Sequence, residues 1–193
     1  MAKDGATSRR KPRAARPLDR MRLEELALAY VARFATSAGR LEAYLRRKLR
    51  ERGWDDDGDP GVGALVARFV EQSFVDDAAY GRSKAQGLLA RGYGARRVEQ
   101  VLRAAEIGED LRRELGPEEY ERRAALVTFA RRRGFGPFGA AEPQDVDARH
   151  RMREKRLAAM LRAGHGFDAA RRVLDAATIE ELEQWVAEAR DAA

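Results

Sequence analysis

From Phe74 to Ile107 apolar residues return at every third or fourth position, with one interruption at Arg91-Gly-Tyr-Gly94. That spacing puts them on one face of a helix, whereas a half-buried strand would alternate with period two. Asp76 and Asp77 can accept hydrogen bonds from the free N–H groups of a first helix. The inward face of that helix is read as Tyr80, the stem of Lys84, Gly87 and Leu88. Gly92 and Gly94 stop it, because glycine reaches the left-handed conformation that a helix end requires. A second helix carries Val98, Val101, Leu102 and Ala105 inward and opens its other face with Arg96 and Arg97. The motif is two helices meeting at a tight turn, and it recurs in altered form on both sides.

Upstream, a helix over 21–34 places Leu23, Leu26, Ala27, Tyr30, Val31 and Phe34 on one stripe. Ser37 caps a second, 38–52, with Leu41, Leu45 and Leu49 inward, and Gly53 ends it. Asp59 as cap and Pro60 at the first helical position open a third, burying Val62, Leu65, Val66, Phe69 and Val70. Downstream of helices 77–91 and 95–105 the pattern gives helices over 109–115, 117–133, 147–163 and 168–176. A tenth starts at Thr178, with Glu181 completing a capping box.

Three pieces resemble one another: Lys48-Leu-Arg-Glu-Arg-Gly-Trp54, Val101-Leu-Arg-Ala-Ala-Glu-Ile107 and Met160-Leu-Arg-Ala-Gly-His-Gly-Phe167. Aligned on Leu49, Leu102 and Leu161, the third has one extra residue. A three-helix unit used three times buries little by itself, so neighbours must stack. The expected fold is all-α: three tandem three-helix repeats forming an elongated, curved array, plus an extra C-terminal helix. The boundaries are a disordered basic arm 1–20, repeats 21–74, 75–116 and 117–176, and an acidic helix 177–193. The third repeat contains an inserted glycine-rich loop, 134–146.

Composition removes several function classes. Charged residues make up 36% of the chain, against about 25% in an average domain, which favours thin, surface-rich units. There is no cysteine, so thiolate chemistry and disulfides are excluded. No apolar run approaches the ~20 residues of a membrane span, and the basic N-terminus lacks the apolar stretch of a secretory signal. A cytoplasmic protein with no membrane association is expected. His150 and His165 have no ligand spacing, and the Asp55–Asp59 run lacks the pattern of a calcium loop. Gly134–Gly139 is not followed by the Lys-Ser/Thr of a phosphate-binding loop and reads as a mobile hinge or contact loop. No catalytic set, metal site or cofactor is expected.

Basic surface remains. Residues 1–20 carry a net +5 of the chain's +6, leaving the body close to neutral. Within the body, arginine outnumbers lysine, which favours forked contacts to carboxylate or phosphate. The candidate binding residues are Arg46, Arg47, Lys48 and Arg50 in the first repeat, and Arg96, Arg97 and Arg103 in the second. The third adds Arg131, Arg132, Arg153 and Arg156. A cationic face that recurs along a rod suits a long polyanionic or helically periodic partner. The same residues also fit ordinary solvated helix faces.

Leu45-Arg-Arg-Lys-Leu-Arg-Glu-Arg-Gly-Trp54, Phe74-Val-Asp-Asp-Ala-Ala-Tyr-Gly81 and Arg91-Gly-Tyr-Gly-Ala-Arg-Arg-Val98 resemble the RecX family, bacterial regulators of the RecA recombinase. The resemblance covers roughly residues 22–176, and the central block is its most specific part. Gly81 stands where the family usually has alanine, and the Gly134–Val146 insertion departs from the pattern. The resemblance implies a non-enzymatic modulator, mainly an inhibitor. Such a protein lies in the groove of the RecA–DNA filament and restrains filament growth, ATP hydrolysis, strand exchange and co-protease activity. A monomer is expected, with weak direct binding to single- or double-stranded DNA as an additional property. Two rival readings stay open: a direct DNA-binding protein of helix-turn-helix-like repeats, and a helical scaffold for another protein.

Overall fold

The computed structural model describes residues 16–140 and 143–192. Within them ten α-helices and one 3-10 turn follow in order, and the only strand-like feature is an isolated bridge between Leu18 and Trp54. The helices are α1 Arg20–Arg33, α2 Ala38–Arg52, α3 Val62–Glu71, α4 Asp77–Leu89, α5 Ala95–Ala104 and α6 Glu109–Glu114. The remainder are α7 Glu119–Arg133, the 3-10 turn Gly136–Phe138, α8 Val146–Arg162, α9 Phe167–Asp175 and α10 Ile179–Asp191. The all-helical expectation holds.

The apolar residues gather in three separate cores. One joins α1, α2 and α3 through Leu23, Leu41, Leu45, Val66 and Phe69. A second joins α4, α5 and α6 through Tyr80, Leu88, Val98, Leu102 and Ile107. The third joins α7, α8, α9 and α10 through Leu126, Met160, Val173, Leu182 and Trp185. Each core is small, so truncating a fully buried residue such as Leu102 removes about 2–5 kcal/mol, a large part of what holds its unit together.

The caps explain where the helices start. Asp19, Ser37, Asp76, Asp145 and Thr178 each accept a hydrogen bond from a backbone N–H in the first turn that follows. The α7 cap is Glu118, paired reciprocally with Glu121 in a capping box, so Pro117 stands just outside the helix rather than opening it. At α10 the Glu181 carboxylate accepts instead from the N–H of Ala177, one residue before the cap. Asp59 closes a local turn onto the N–H of Gly61 and leaves Gly61 to cap α3.

Other expectations need correction. Residues 1–15 of the expected arm lie outside the described residues, but 16–20 are folded. Leu18 is fully buried; its N–H donates to Gly53 O and its carbonyl accepts from Asp55 N–H. Phe34 and Val70 are largely exposed. Phe34 has already left the helix in an extended conformation, and Val70 is turned about 100° past the inward Phe69. On α4 the buried residues are Tyr80 and Leu88, as expected, with Gly81 and Ala85, while Lys84 and Gly87 are exposed. Gly92, with φ +84°, ends α4 as expected, but Gly94 has φ −85° and caps α5.

The glycine-rich segment makes the contacts of a contact loop with the third core. Phe135 and Phe138 pack against the third core, and Gly136 (φ +57°) lies so close to the Val173 carbonyl that no side chain fits. The expected register also shifts by one. Ile107 N–H donates to Leu102 O at 3.2 Å, and His165 N–H donates to Met160 O at 3.1 Å. Met160, fully buried like Leu102, is therefore its counterpart, not Leu161. No extra residue is present, and His165 takes the place of Ile107.

Candidate functional site

The candidate arginines sit on helices whose ends meet. The N-terminus of α2 abuts the turn after α5. There the Ser37 hydroxyl donates to Ala105 O, Ala38 N–H donates to Asp77 Oδ1 (2.8 Å) and Arg40 donates to the Tyr80 hydroxyl (3.1 Å). The N-terminus of α5 in turn abuts the turn after α8. Gly94 N–H donates to Ala163 O at 2.9 Å, and Arg96 N–H donates to Gly164 O at 3.2 Å. At both junctions the positive end of one helix dipole faces the carbonyl end of the next, a favourable alignment. Small residues permit the approach. A Cβ on Gly39 would lie 2.9 Å from Glu106 O, and one on Gly94 would lie 2.6 Å from His165 N.

His165 seals the second junction. It is buried, its ring packs against Phe129 with centroids 5.6 Å apart, and Nε2 lies 3.0 Å from Gly92 O. A carbonyl only accepts, so Nε2 carries the proton of a neutral ring. Burial lowers the His165 pKa below its ordinary value, and the Gly92 hydrogen bond opposes that shift without cancelling it. His150 is exposed on α8. Among the described residues no group of His, Cys, Asp or Glu is placed to hold a metal ion.

The candidate cations divide by what faces them. Arg46 pairs with Glu42 at 2.6 Å, while Arg47 (3.7 Å) and Lys48 (2.6 Å) share Glu51. The Lys48 hydrogen bond holds the Glu51 carboxyl below its ordinary range against desolvation, with Coulombic help from Lys48, Arg47 and Arg50. Arg103 and Arg112 both pair with Glu99 at 3.0 Å. Burial raises the Glu99 pKa, but those two hydrogen bonds outweigh it and the net shift is downward. Arg131 is drawn to Glu183 of α10 at 3.0 Å, and Arg153 to Asp175. Such exposed pairs are worth about 0–1 kcal/mol and can be exchanged for another partner, yet they reduce the local positive field.

The other candidates have no carboxylate partner among the described residues. Arg50, Arg96 and Arg97 are exposed, Arg97 reaching only Gln100 at 3.4 Å. The Arg156 guanidinium lies 5.7 Å from the centre of the Phe135 ring. Arg132 donates to Arg91 O at 3.0 Å and borders a cleft of about 320 Å³ with Arg91, Tyr93, Phe129 and Arg133. Arg91 and Arg133 belong to the same basic clusters in the sequence but were not among the expected binding residues. Docking α7 against the end of α4 brings Arg91 to Arg132 and Arg133. Five arginines without a carboxylate partner among the described residues, Arg91, Arg96, Arg97, Arg132 and Arg133, come from two sequence segments near the second junction.

No family model matches the chain. Regulatory protein RecX of Myxococcus xanthus is 33% identical over 175 residues, covering 86% of this chain and 91% of the relative. Regulatory protein RecX of Thermus thermophilus is 32% identical over 129 residues, covering 60% of this chain and 87% of the relative. In fold, the chain is similar to the crystal structure of RecX from Lactobacillus salivarius. The TM-score is 0.56 at 15% identity, over 86% of this chain and 97% of that one.

Proposed function

The chain belongs to the RecX family of regulatory proteins, and on that premise we propose that it modulates, mainly inhibits, the RecA recombinase. In this reading it is a non-enzymatic cytoplasmic monomer. It binds in the groove of the RecA–DNA filament and restrains filament growth, ATP hydrolysis, strand exchange and co-protease activity in DNA repair and the SOS response. The three cores are read as three repeat units, and α10 as an added cover on the last. The observation that supports the contact surface is the pair Arg96 and Arg97, exposed on the first turn of α5 and without a carboxylate partner among the described residues. Several weak contacts spread over successive units add through avidity on a periodic partner.

The test is DNA-dependent ATP hydrolysis by the cognate RecA, with this protein titrated in below one molecule per RecA. Progressive inhibition at such ratios supports control of filament growth or stability. No effect in excess refutes the reading. Charge reversal of Arg96 and Arg97 weakens filament binding without loss of helicity, and unchanged binding removes both from the site.

A further inference from the structure

We propose that the turn after α2 is a docking site for the N-terminal end of α8 of a second copy, and that Arg16–Leu18 occupy it in cis and so keep the chain single. Helices α2, α5 and α8 are each followed by a turn with one left-handed residue: Gly53 (φ +83°), Glu106 (φ +57°) and Gly164 (φ +96°). Two of these turns receive the start of another helix. α2 docks on the turn after α5, where the Ser37 hydroxyl donates to Ala105 O. α5 docks on the turn after α8, where Arg96 N–H donates to Gly164 O at 3.2 Å. The same step leaves two ends over: the turn after α2 and the N-terminus of α8.

The first of these ends is filled by the chain itself. Leu18 N–H donates to Gly53 O at 3.0 Å, the counterpart of the Arg96 bond to Gly164, and Leu18 O accepts in return from Asp55 N–H. Arg52 donates to Arg16 O at 2.9 Å, and the Leu18 side chain is fully buried in the first core. This strap satisfies the carbonyl that a visiting helix would otherwise take. It does not fill the whole place. No described atom lies within 4 Å of where a Cβ on Gly53 would stand, whereas Gly39 presses on Glu106 and Arg97 on Gly164 at the other two turns.

The second end is open. Ala38 and Ala95, the first residues of α2 and α5, are half-buried at their junctions, but Val146, the first residue of α8, is 59% exposed. Asp147 beside it is exposed too. The turn after α2 follows Arg50 and Arg52, so the two ends carry opposite charge, and their helix dipoles align as at the internal junctions. A second copy therefore fits where a further unit would. The contact joins unlike surfaces and leaves a free end on each copy, so it builds open chains rather than a closed dimer. Stacked repeats need a cap at their ends, and the strap is that cap.

The experiment is the mass of the full chain by light scattering over a concentration series, without RecA. The native chain keeps the mass of one copy. Leu18→Pro deletes the N–H that caps Gly53, and the mass then rises with concentration by about twofold or more, as end-to-end addition requires. Asp147→Arg in that background sets like charge against Arg50 and Arg52 and returns the mass to one copy. Circular dichroism checks folding. Should Leu18→Pro not fold, Pro17→Gly with Arg52→Gln loosens the strap outside the core, and rapid hydrogen exchange at the Asp55 amide reports that it has opened. A folded, opened variant that stays single at every concentration overturns the proposal. So does association that survives Asp147→Arg, a strap that neither variant opens, or association of the native chain. The cap rests on the monomer proposed above, and its failure leaves the regulation of RecA to its own test with RecA present.

Discussion

Replacing Gly94 by alanine tests whether the second junction couples its neighbours. The glycine has φ −85°, which any residue adopts, so the cost does not come from backbone strain. It comes from space. The new Cβ would meet the Gly164 carbonyl and lie 2.6 Å from His165 N, all backbone atoms that cannot rotate away. Reaching ordinary contact distance requires opening the junction by roughly 1 Å. That breaks Gly94 N–Ala163 O, Arg96 N–Gly164 O and His165 Nε2–Gly92 O together. At about 1 kcal/mol net per bond the loss is about 3 kcal/mol. Gly166→Ala is the matched control: it is also a cap glycine, on α9, but has open space where its Cβ would stand. Urea unfolding reads the difference. Trp54 reports on the first core and Trp185 on the third, so versions retaining one tryptophan show whether the cores unfold together. In Gly94→Ala the two transitions separate. A loss within about 1 kcal/mol of the Gly166→Ala value, with coincident transitions, refutes the coupling.

Further outcomes are expected. Gly87→Ala, on an exposed face of α4 with nothing near its Cβ, raises stability by about 0.5–1 kcal/mol in the same urea assay. Because burial depresses the His165 pKa, the unfolded chain binds more protons than the folded one below pH ~6.5. The His165 contribution is complete above that value and declines as pH falls below it; His165→Gln removes this part of the profile. Glu99 and Glu119, held ionised by arginines, lose their contributions lower, as pH falls below their ordinary 4.5. Arg131→Ala weakens RecA binding less than Arg97→Ala in a direct binding assay, because Glu183 already engages Arg131.

The helices were legible because their apolar periodicity and caps agree: Ser37 and Asp76 mark their starts to the residue. What failed was information carried by a neighbour. Lys84 and Gly87 were placed inward because Tyr80 sets one edge of the stripe, but α5 and α6 meet α4 along Gly81. A Cβ on Gly81 would lie 3.2 Å from Ile107 Cδ1. Leu161 looked like the third leucine of a series, yet the turn closes on Met160. Only the backbone bond from His165 shows that register. The candidate arginines were identifiable as a class, but their partners were not. Glu183 lies 52 positions from Arg131, and no local spacing announces such a pair. Arg91 and Arg133 are legible in the sequence only as basic residues, since they meet when α7 docks on α4.

The two junctions use one device with different chemistry. At the first, a serine hydroxyl and an aspartate satisfy the meeting ends, and Glu106 crowds Gly39. At the second, backbone N–H groups do that work directly, and two glycines replace the side chains. A Cβ on Gly164, at φ +96°, would lie 2.5 Å from Arg97 N, so this end is closer and less adjustable. His165 adds a neutral hydrogen bond where Ile107, its counterpart, offers only apolar contact. The closer junction also carries Arg96 and Arg97, which pair with no carboxylate among the described residues. Arg96 and Arg97 lie within the first turn of α5, the turn anchored to Gly164, so their Cα positions are set by main-chain bonds. Less freedom at the backbone means less entropy lost when the side chains engage a partner. A variant that loosens the junction, Gly94→Ala, therefore weakens RecA binding even though it removes no charge, whereas Gly166→Ala leaves it unchanged. Equal binding by the two would mean that the arginines act as freely moving charges and owe nothing to the junction beneath them.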